Sequence, residues 1–92
     1  NIEIKDEEIM SLFNIILDIS DIDKSDKDLF KIKKAMFLSK ENINEKEILK
    51  LLKPIINSDS VWRIKALTFL EKYYLTNNEK KKAKEFSDLL RK

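Results

Sequence analysis

Asp18, Asp21, Asp23, Asp26 and Asp28 put five carboxylates into eleven positions, a set of oxygen ligands that could suit a hard cation. A helix–loop–helix calcium site needs more than acids: a Gly at its tight turn and a bidentate Glu at its end. The chain contains no Gly, and no Glu stands where such a loop would close, so the calcium-loop reading is rejected; residues 20–25 read as a polar connector. Catalytic chemistry is thinly supplied elsewhere. With no His and no Cys, the common general base, the Ser-His-Asp and Cys-His arrangements, thiol nucleophiles, zinc fingers and disulfide scaffolds all fall away. Without Gly there is no phosphate-cradling loop or dinucleotide fingerprint. Paired carboxylates remain for acid–base work, but none lies in an apolar run that would raise its pKa. The expectation is a chain that is not an enzyme and carries no metal or cofactor site.

Two further groups could recognise rather than react. Lys80, Lys81 and Lys82 with Lys84 could contact phosphate, yet Glu79, Glu85 and Asp88 share their helix and no aromatic is interleaved for base stacking. That cluster reads as a solvated face. Trp62, Arg63 and Tyr73 are of the types enriched at energetic centres of interfaces. On a helix, Trp62 and Tyr73 lie within about 20° of each other and Arg63 about 80° away from Tyr73, so the first two form one ridge and Arg63 is its outlier. The competing role for this ridge is a seam against a neighbouring helix, with Trp62 packing over the adjacent pair. Of the adjacent Tyr73 and Tyr74, one is expected in the core and the other with a free hydroxyl.

These groups need elements to hold them, and the spacing of apolar residues is helical throughout. One Pro, no Gly and a single Val argue against strands and their turns. The first helix spans roughly 6–19, with Ile9, Leu12, Phe13, Ile16 and Ile19 inward. Ile15 and Leu17 widen that stripe, predicting a helix covered on more than one side. Ser25 is the expected cap of a second helix over roughly 26–39, with Leu29, Ile32, Ala35, Met36 and Leu38 inward and Lys31, Lys33 and Lys34 outward. Asn44, with Glu47 at the capping-box position, starts a third helix carrying Ile48, Leu51, Leu52 and Ile55. Pro54 is expected to kink or end it near Lys53. Ser58, Asp59 and Ser60 open a fourth helix that runs to about Leu75, with Leu67, Leu70 and Tyr74 on one face. Asn77-Asn78 make the next turn, because Asn tolerates left-handed backbone where Gly is absent. The fifth helix, roughly 79–90, buries Ala83, Phe86, Leu89 and Leu90.

Ninety-two residues suit one small domain, 1–92. The net charge of +2 hides a split: residues 1–30 carry three Lys against nine acids, for −6, and residues 31–92 sixteen basic groups against eight acids, for +8. No apolar run reaches the roughly 18 residues of a membrane span; the longest, Leu12–Ile19, is broken by Asn14 and Asp18. The start at Asn1 without Met reads as a fragment of a longer chain, with room upstream for a targeting segment.

The second and fourth helices begin about 34 residues apart, as do the third and fifth, and Asn44-Glu45-Lys46 recurs as Asn78-Glu79-Lys80 at that offset. Met36 then matches Leu70, Leu52 matches Phe86, Ile55 matches Leu89 and Ile56 matches Leu90. A helix–turn–helix period of 34 is that of tetratricopeptide repeats, whose units bury their apolar stripes by stacking. Residues 60–92 resemble such a unit through Leu67, Leu70, Tyr74, the Asn77-Asn78 turn, Ala83 and Leu90. Glu71, Ser87, Leu49, Pro54 and the missing turn Gly depart from the pattern.

Residues 60–70, beginning Ser60-Val61-Trp62-Arg63, followed by Tyr73-Tyr74-Leu75 and Lys82-Ala83-Lys84, are similar to the periplasmic domain of the bacterial ancillary Sec-translocon subunit family. That resemblance implies a membrane anchor upstream, a soluble helical solenoid on the periplasmic side of a bacterial inner membrane, and a protein-binding role; without it the chain would be cytoplasmic. Together the residues predict an all-α fold of about five antiparallel helices ending in two tetratricopeptide-like hairpins, 26–57 and 60–92. The expected function is a protein–protein interaction module that takes a partner segment in a groove lined by the second and fourth helices. Trp62, Tyr73 and Arg63 are its candidate contacts, and neither membrane insertion by this segment nor a small-molecule ligand is expected. The alternative is a small basic nucleic-acid-binding domain using residues 31–92.

Overall fold

In the computed structural model, which describes residues 6–19, 21–41 and 44–91, the chain is all-α. Five α-helices follow one another among these residues: α1 (Asp6–Asp18), α2 (Lys24–Leu38), α3 (Glu45–Ile56), α4 (Arg63–Thr76) and α5 (Lys80–Leu90), with a 3₁₀ turn at Ser39–Glu41. Each helix packs on the next in sequence, and α4 with α5 forms the closest pair. One core runs through the stack, built from Ile32, Ala35 and Leu38 of α2, Ile48, Leu52, Ile55 and Ile56 of α3, Ala66, Leu67, Leu70, Tyr73 and Tyr74 of α4, and Ala83 and Phe86 of α5.

Local chemistry explains most of the helix ends. Acids Asp6, Glu7 and Glu8 occupy the first turn of α1, where they complement the helix dipole. α2 starts two residues earlier than expected: Asp23 takes the N-cap position in extended backbone and its carbonyl accepts from Lys27 N–H. Ser25 therefore lies inside the first turn rather than capping it. Asn44 does precede α3, but its side chain caps nothing there; its amide donates to the Leu38 carbonyl (3.2 Å).

Ser58 and Ser60 do not begin α4. Their hydroxyls accept from Ser60 N–H and Trp62 N–H, both at 3.1 Å, so serine turns postpone the helix to Arg63. At the other end, Asn78 has φ of 61°, as the sequence predicts. Glu79 N–H bonds the Tyr74 carbonyl (2.8 Å) and Asn78 N–H that of Leu75 (3.1 Å). This is the Schellman closure with Asn at the position usually given to Gly.

Pro54 does not end α3 at Lys53, since the helix continues to Ile56. Only the bond to the Lys50 carbonyl is lost. Lys50 and Pro54 both lie on the exposed side, where water can serve that carbonyl, and Asn57 N–H closes the last turn on Lys53 (2.9 Å).

Three burial expectations are corrected. α1 is covered on one side, not several: none of its residues is buried, and Leu12, Ile15 and Ile19 are 52%, 59% and 41% exposed. It docks on α2 through Phe13 against Phe37 (6.2 Å between ring centres) and through Lys34 Nζ donating to Asn14 Oδ1 (2.8 Å). Lys34 is consequently buried rather than solvated, and Met36, expected inward, is 38% exposed on the opposite flank. A helix flanked by α1 on one side and α3 on another presents its faces by neighbour position, which rotates the buried stripe away from the purely apolar one.

The 34-residue period is clearest in the second helix of each pair. α3 and α5 start 35 residues apart (45 and 80) and end 34 apart (56 and 90), whereas α2 and α4 start 39 apart (24 and 63). Leu52 and Phe86 are both buried, but of Met36 and Leu70 only Leu70 is. The hairpin packing is consistent with a short helical repeat whose first helices differ in register.

Candidate functional site

α2 and α4 line a shallow groove made of two joined depressions. Met36 comes from α2, and Lys65, Thr68, Phe69 and Lys72 from α4; these five line a space of about 290 Å³. Phe69 and Lys72 also border the second, of about 180 Å³, which continues past Ser39, Tyr73, Thr76 and Asn77. The floor is thus apolar and the rim cationic. The polar residues on it are largely occupied with the backbone: Ser39 Oγ donates to the Met36 carbonyl (2.6 Å), Thr68 Oγ1 to Ile64 (2.8 Å) and Asn77 Nδ2 to Tyr73 (2.9 Å). Lys65 and Lys72 are exposed, and among the described residues neither pairs with a carboxylate. The helical spacing 65, 68, 72 puts these side chains on one stripe of α4.

A larger hollow of about 420 Å³ lies between α1 and the end of α2, lined by Asp6, Glu7, Met10, Phe37, Leu38 and Lys40. Its rim mixes both charge signs and so selects no partner charge. The uniformly cationic α2–α4 groove does.

The candidate contacts predicted from sequence do not gather on this groove. Tyr73 is 7% exposed, stacked on Phe69 (6.1 Å) and edge-on to Tyr74 (5.1 Å), and offers the groove only an edge. Trp62 packs against the core at the start of α4, and its indole N–H is shielded and finds no acceptor among the described residues. Arg63 is half-buried, with Nε donating to the Ile56 carbonyl (2.9 Å), tying α4 to the end of α3. The Trp62–Tyr73 ridge therefore packs inward as a seam. Sequence reasoning missed Met36 as an exposed residue and passed over Phe69, Lys65 and Lys72; the lysine spacing was visible, but nothing local says that Met36 faces them.

Beside the groove, a polar clasp joins three helices. Glu45 Oε2 accepts from the Tyr74 hydroxyl (2.8 Å) and from Lys82 Nζ (2.8 Å), and Lys82 also lies 3.6 Å from Glu79 and 5.5 Å from the Tyr74 ring centre. Tyr74 stacks on Phe86 with rings 5.7 Å apart and nearly parallel. Both tyrosine rings are buried, but only the Tyr74 hydroxyl is bonded; that of Tyr73 has no hydrogen-bond partner among the described residues, so it is the free hydroxyl of the expected pair. The Lys82 and Tyr74 donors hold the Glu45 carboxyl below its ordinary value, and the same Glu45 bond raises Lys82. Burial foremost, then Glu45, pushes the Tyr74 phenol well up; burial also raises Tyr73.

A depressed folded-state carboxyl contributes stability above its unfolded pKa and loses it as pH falls through the folded value. Melts of the parent and Glu45→Gln are therefore expected to differ at pH 7, to begin approaching each other only below the ordinary glutamate value of about 4.3, and to converge beneath the lowered folded value. The gap is modest because Glu45 and Lys82 stay partly exposed, where solvent screens the pair. A gap unchanged down to acid pH would mean that the carboxylate charge is not what joins these helices.

No helix of the described residues is long and apolar enough to cross a membrane. No family model, curated protein or solved structure matches the chain.

Proposed function

We propose that this chain is a protein-interaction module, a short tetratricopeptide-like adaptor, that takes an acidic–apolar segment of another protein along the groove between α2 and α4. The observation that carries this reading is the pairing of an apolar floor, Met36 and Phe69, with the exposed cations Lys65 and Lys72. Apolar side chains of the partner would lose water against the floor. Its carboxylates would meet the lysines, which favour encounter and orientation more than raw affinity. The resemblance of residues 60–84 to the ancillary Sec-translocon subunits extends the proposal to a location, the soluble periplasmic part of an anchored protein in a bacterial inner membrane.

Fluorescence anisotropy with a dye-labelled peptide that alternates Glu with Leu or Phe tests it. Binding is expected for this peptide and not for its Lys-for-Glu counterpart, and Lys65→Glu with Lys72→Glu should weaken it about tenfold or more, equivalent to about 1.4 kcal/mol. Equal binding of both peptides, or no effect of the double substitution, would overturn the groove as the site. Steeply salt-dependent retention on heparin together with binding of a DNA oligonucleotide would instead assign residues 31–92 to nucleic acid.

A further inference from the structure

α1 presents a surface that its own fold leaves uncovered. Leu12, Ile15 and Ile19 recur at spacings of three and four, so they form one stripe, and each is exposed. Glu8 lies one turn before Leu12 on the same stripe, and Glu7, Asp18, Asp21 and Asp23 are exposed beside it or just beyond. The outer face of α1 is thus an acidic–apolar ridge, which is the chemistry the α2–α4 groove is built to receive. The ridge is also short enough to lie within the groove: Leu12 to Ile19 covers about 10 Å, and Lys65 to Thr76 along the groove about 16 Å.

α1 cannot turn this ridge onto its own groove while it is docked, because Phe13 on Phe37 and Asn14 on Lys34 hold the opposite face against α2. Ridge-to-ridge pairing of two α1 helices would place Asp6, Glu7 and Glu8 of one copy beside Asp18, Asp21 and Asp23 of the other, and like charges so placed repel. A contact between ridge and groove brings acids to lysines instead. We propose that a second copy of this chain docks its α1 ridge, Leu12, Ile15 and Ile19 with their flanking acids, into the α2–α4 groove. The inference rests on the groove reading above and names one occupant for it. Because ridge and groove are different surfaces, the association is head-to-tail and can extend into a chain of copies or close into a ring.

Sedimentation of the full chain over a concentration series tests this. The mean mass should rise above the 11.0 kDa monomer with concentration and fall back as salt is raised, since salt screens exposed charges. Ile15→Ser removes the ridge and leaves the groove; Lys65→Glu with Lys72→Glu removes the groove and leaves the ridge. Each variant alone should associate at least tenfold more weakly than the parent. An equimolar mixture of the two should form a particle of twice the monomer mass and none larger, because only one compatible ridge–groove pair remains. All these substitutions are at exposed positions, and Leu12→Ser supplies a second lesion on the ridge should Ile15→Ser lose its helical circular dichroism.

A groove variant that associates as well as the parent would show ridge-to-ridge pairing and overturn the proposal. So would a mixture that stays monomeric, or a parent that is monomeric at every concentration. If that monomeric parent still binds the acidic peptide, the self-docking inference fails while the groove reading stands; if it binds neither, both fail.

Discussion

Leu52→Ala is expected to lower the free energy of unfolding by about 2–5 kcal/mol, whereas Leu12→Ala should change it by less than about 0.5 kcal/mol. Leu52 is fully buried on α3, which packs between α2 and α4. Truncating it removes contacts on both sides and leaves a cavity that the surrounding helices can only partly fill. Small domains have about 5–15 kcal/mol in total, so this one change takes a large share. Leu12 is the same residue type on an equally regular apolar stripe, but more than half exposed. Urea unfolding followed by far-ultraviolet circular dichroism, at a concentration low enough to keep the chain monomeric, measures both. Equal losses would place α1 inside a second core layer and remove its outer ridge as a docking surface.

Ala83→Leu is expected to cost about 1–3 kcal/mol through overpacking. Ala83 is buried on α5 in the α4–α5 hairpin, the closest helix pair of the fold, and Ala66 on α4 is likewise buried. With only three Ala in the sequence, two of them in these paired helices let the backbones approach. A leucine at position 83 must push the helices apart or adopt a poor rotamer. Lys81→Leu, at an exposed position on the same helix, is the control and should stay within about 0.5 kcal/mol of the parent. Coincident thermal melts of Ala83→Leu and the parent would mean that this contact is loose, and would take from the tetratricopeptide-like alignment its small residue at the helix crossing.

The candidate site was legible only in outline. Expecting a groove between the second and fourth helices followed from stacking helix pairs, and such a groove lies between α2 and α4. Its lining did not follow. Trp62 and Tyr73 are large aromatics of the kind that dominates interfaces, yet the same apolar area that makes an aromatic a good contact also drives it into its own core. The Glu45–Tyr74–Lys82 clasp left no readable trace, because its partners lie 29 and 37 positions apart.

Local residue patterns suffice to specify most of the helices. Apolar spacing of three and four, acids in the first turn of α1, and Asn at position 78 act over one or two turns of backbone. They accordingly placed α1 within one residue of its observed end, α5 within one of its start, and the left-handed residue at Asn78. Which stripe each helix buries is set by its neighbours in the fold. Whether Leu12 is core or surface, whether Lys34 meets water or Asn14, and whether Met36 faces α3 or the groove depend on which helix lies alongside. Hydrophobic burial is non-directional and goes to whatever apolar area a neighbour covers. A helix carrying more apolar positions than its neighbours can cover is left, as α1 is, with an exposed ridge that its own sequence does not distinguish from core.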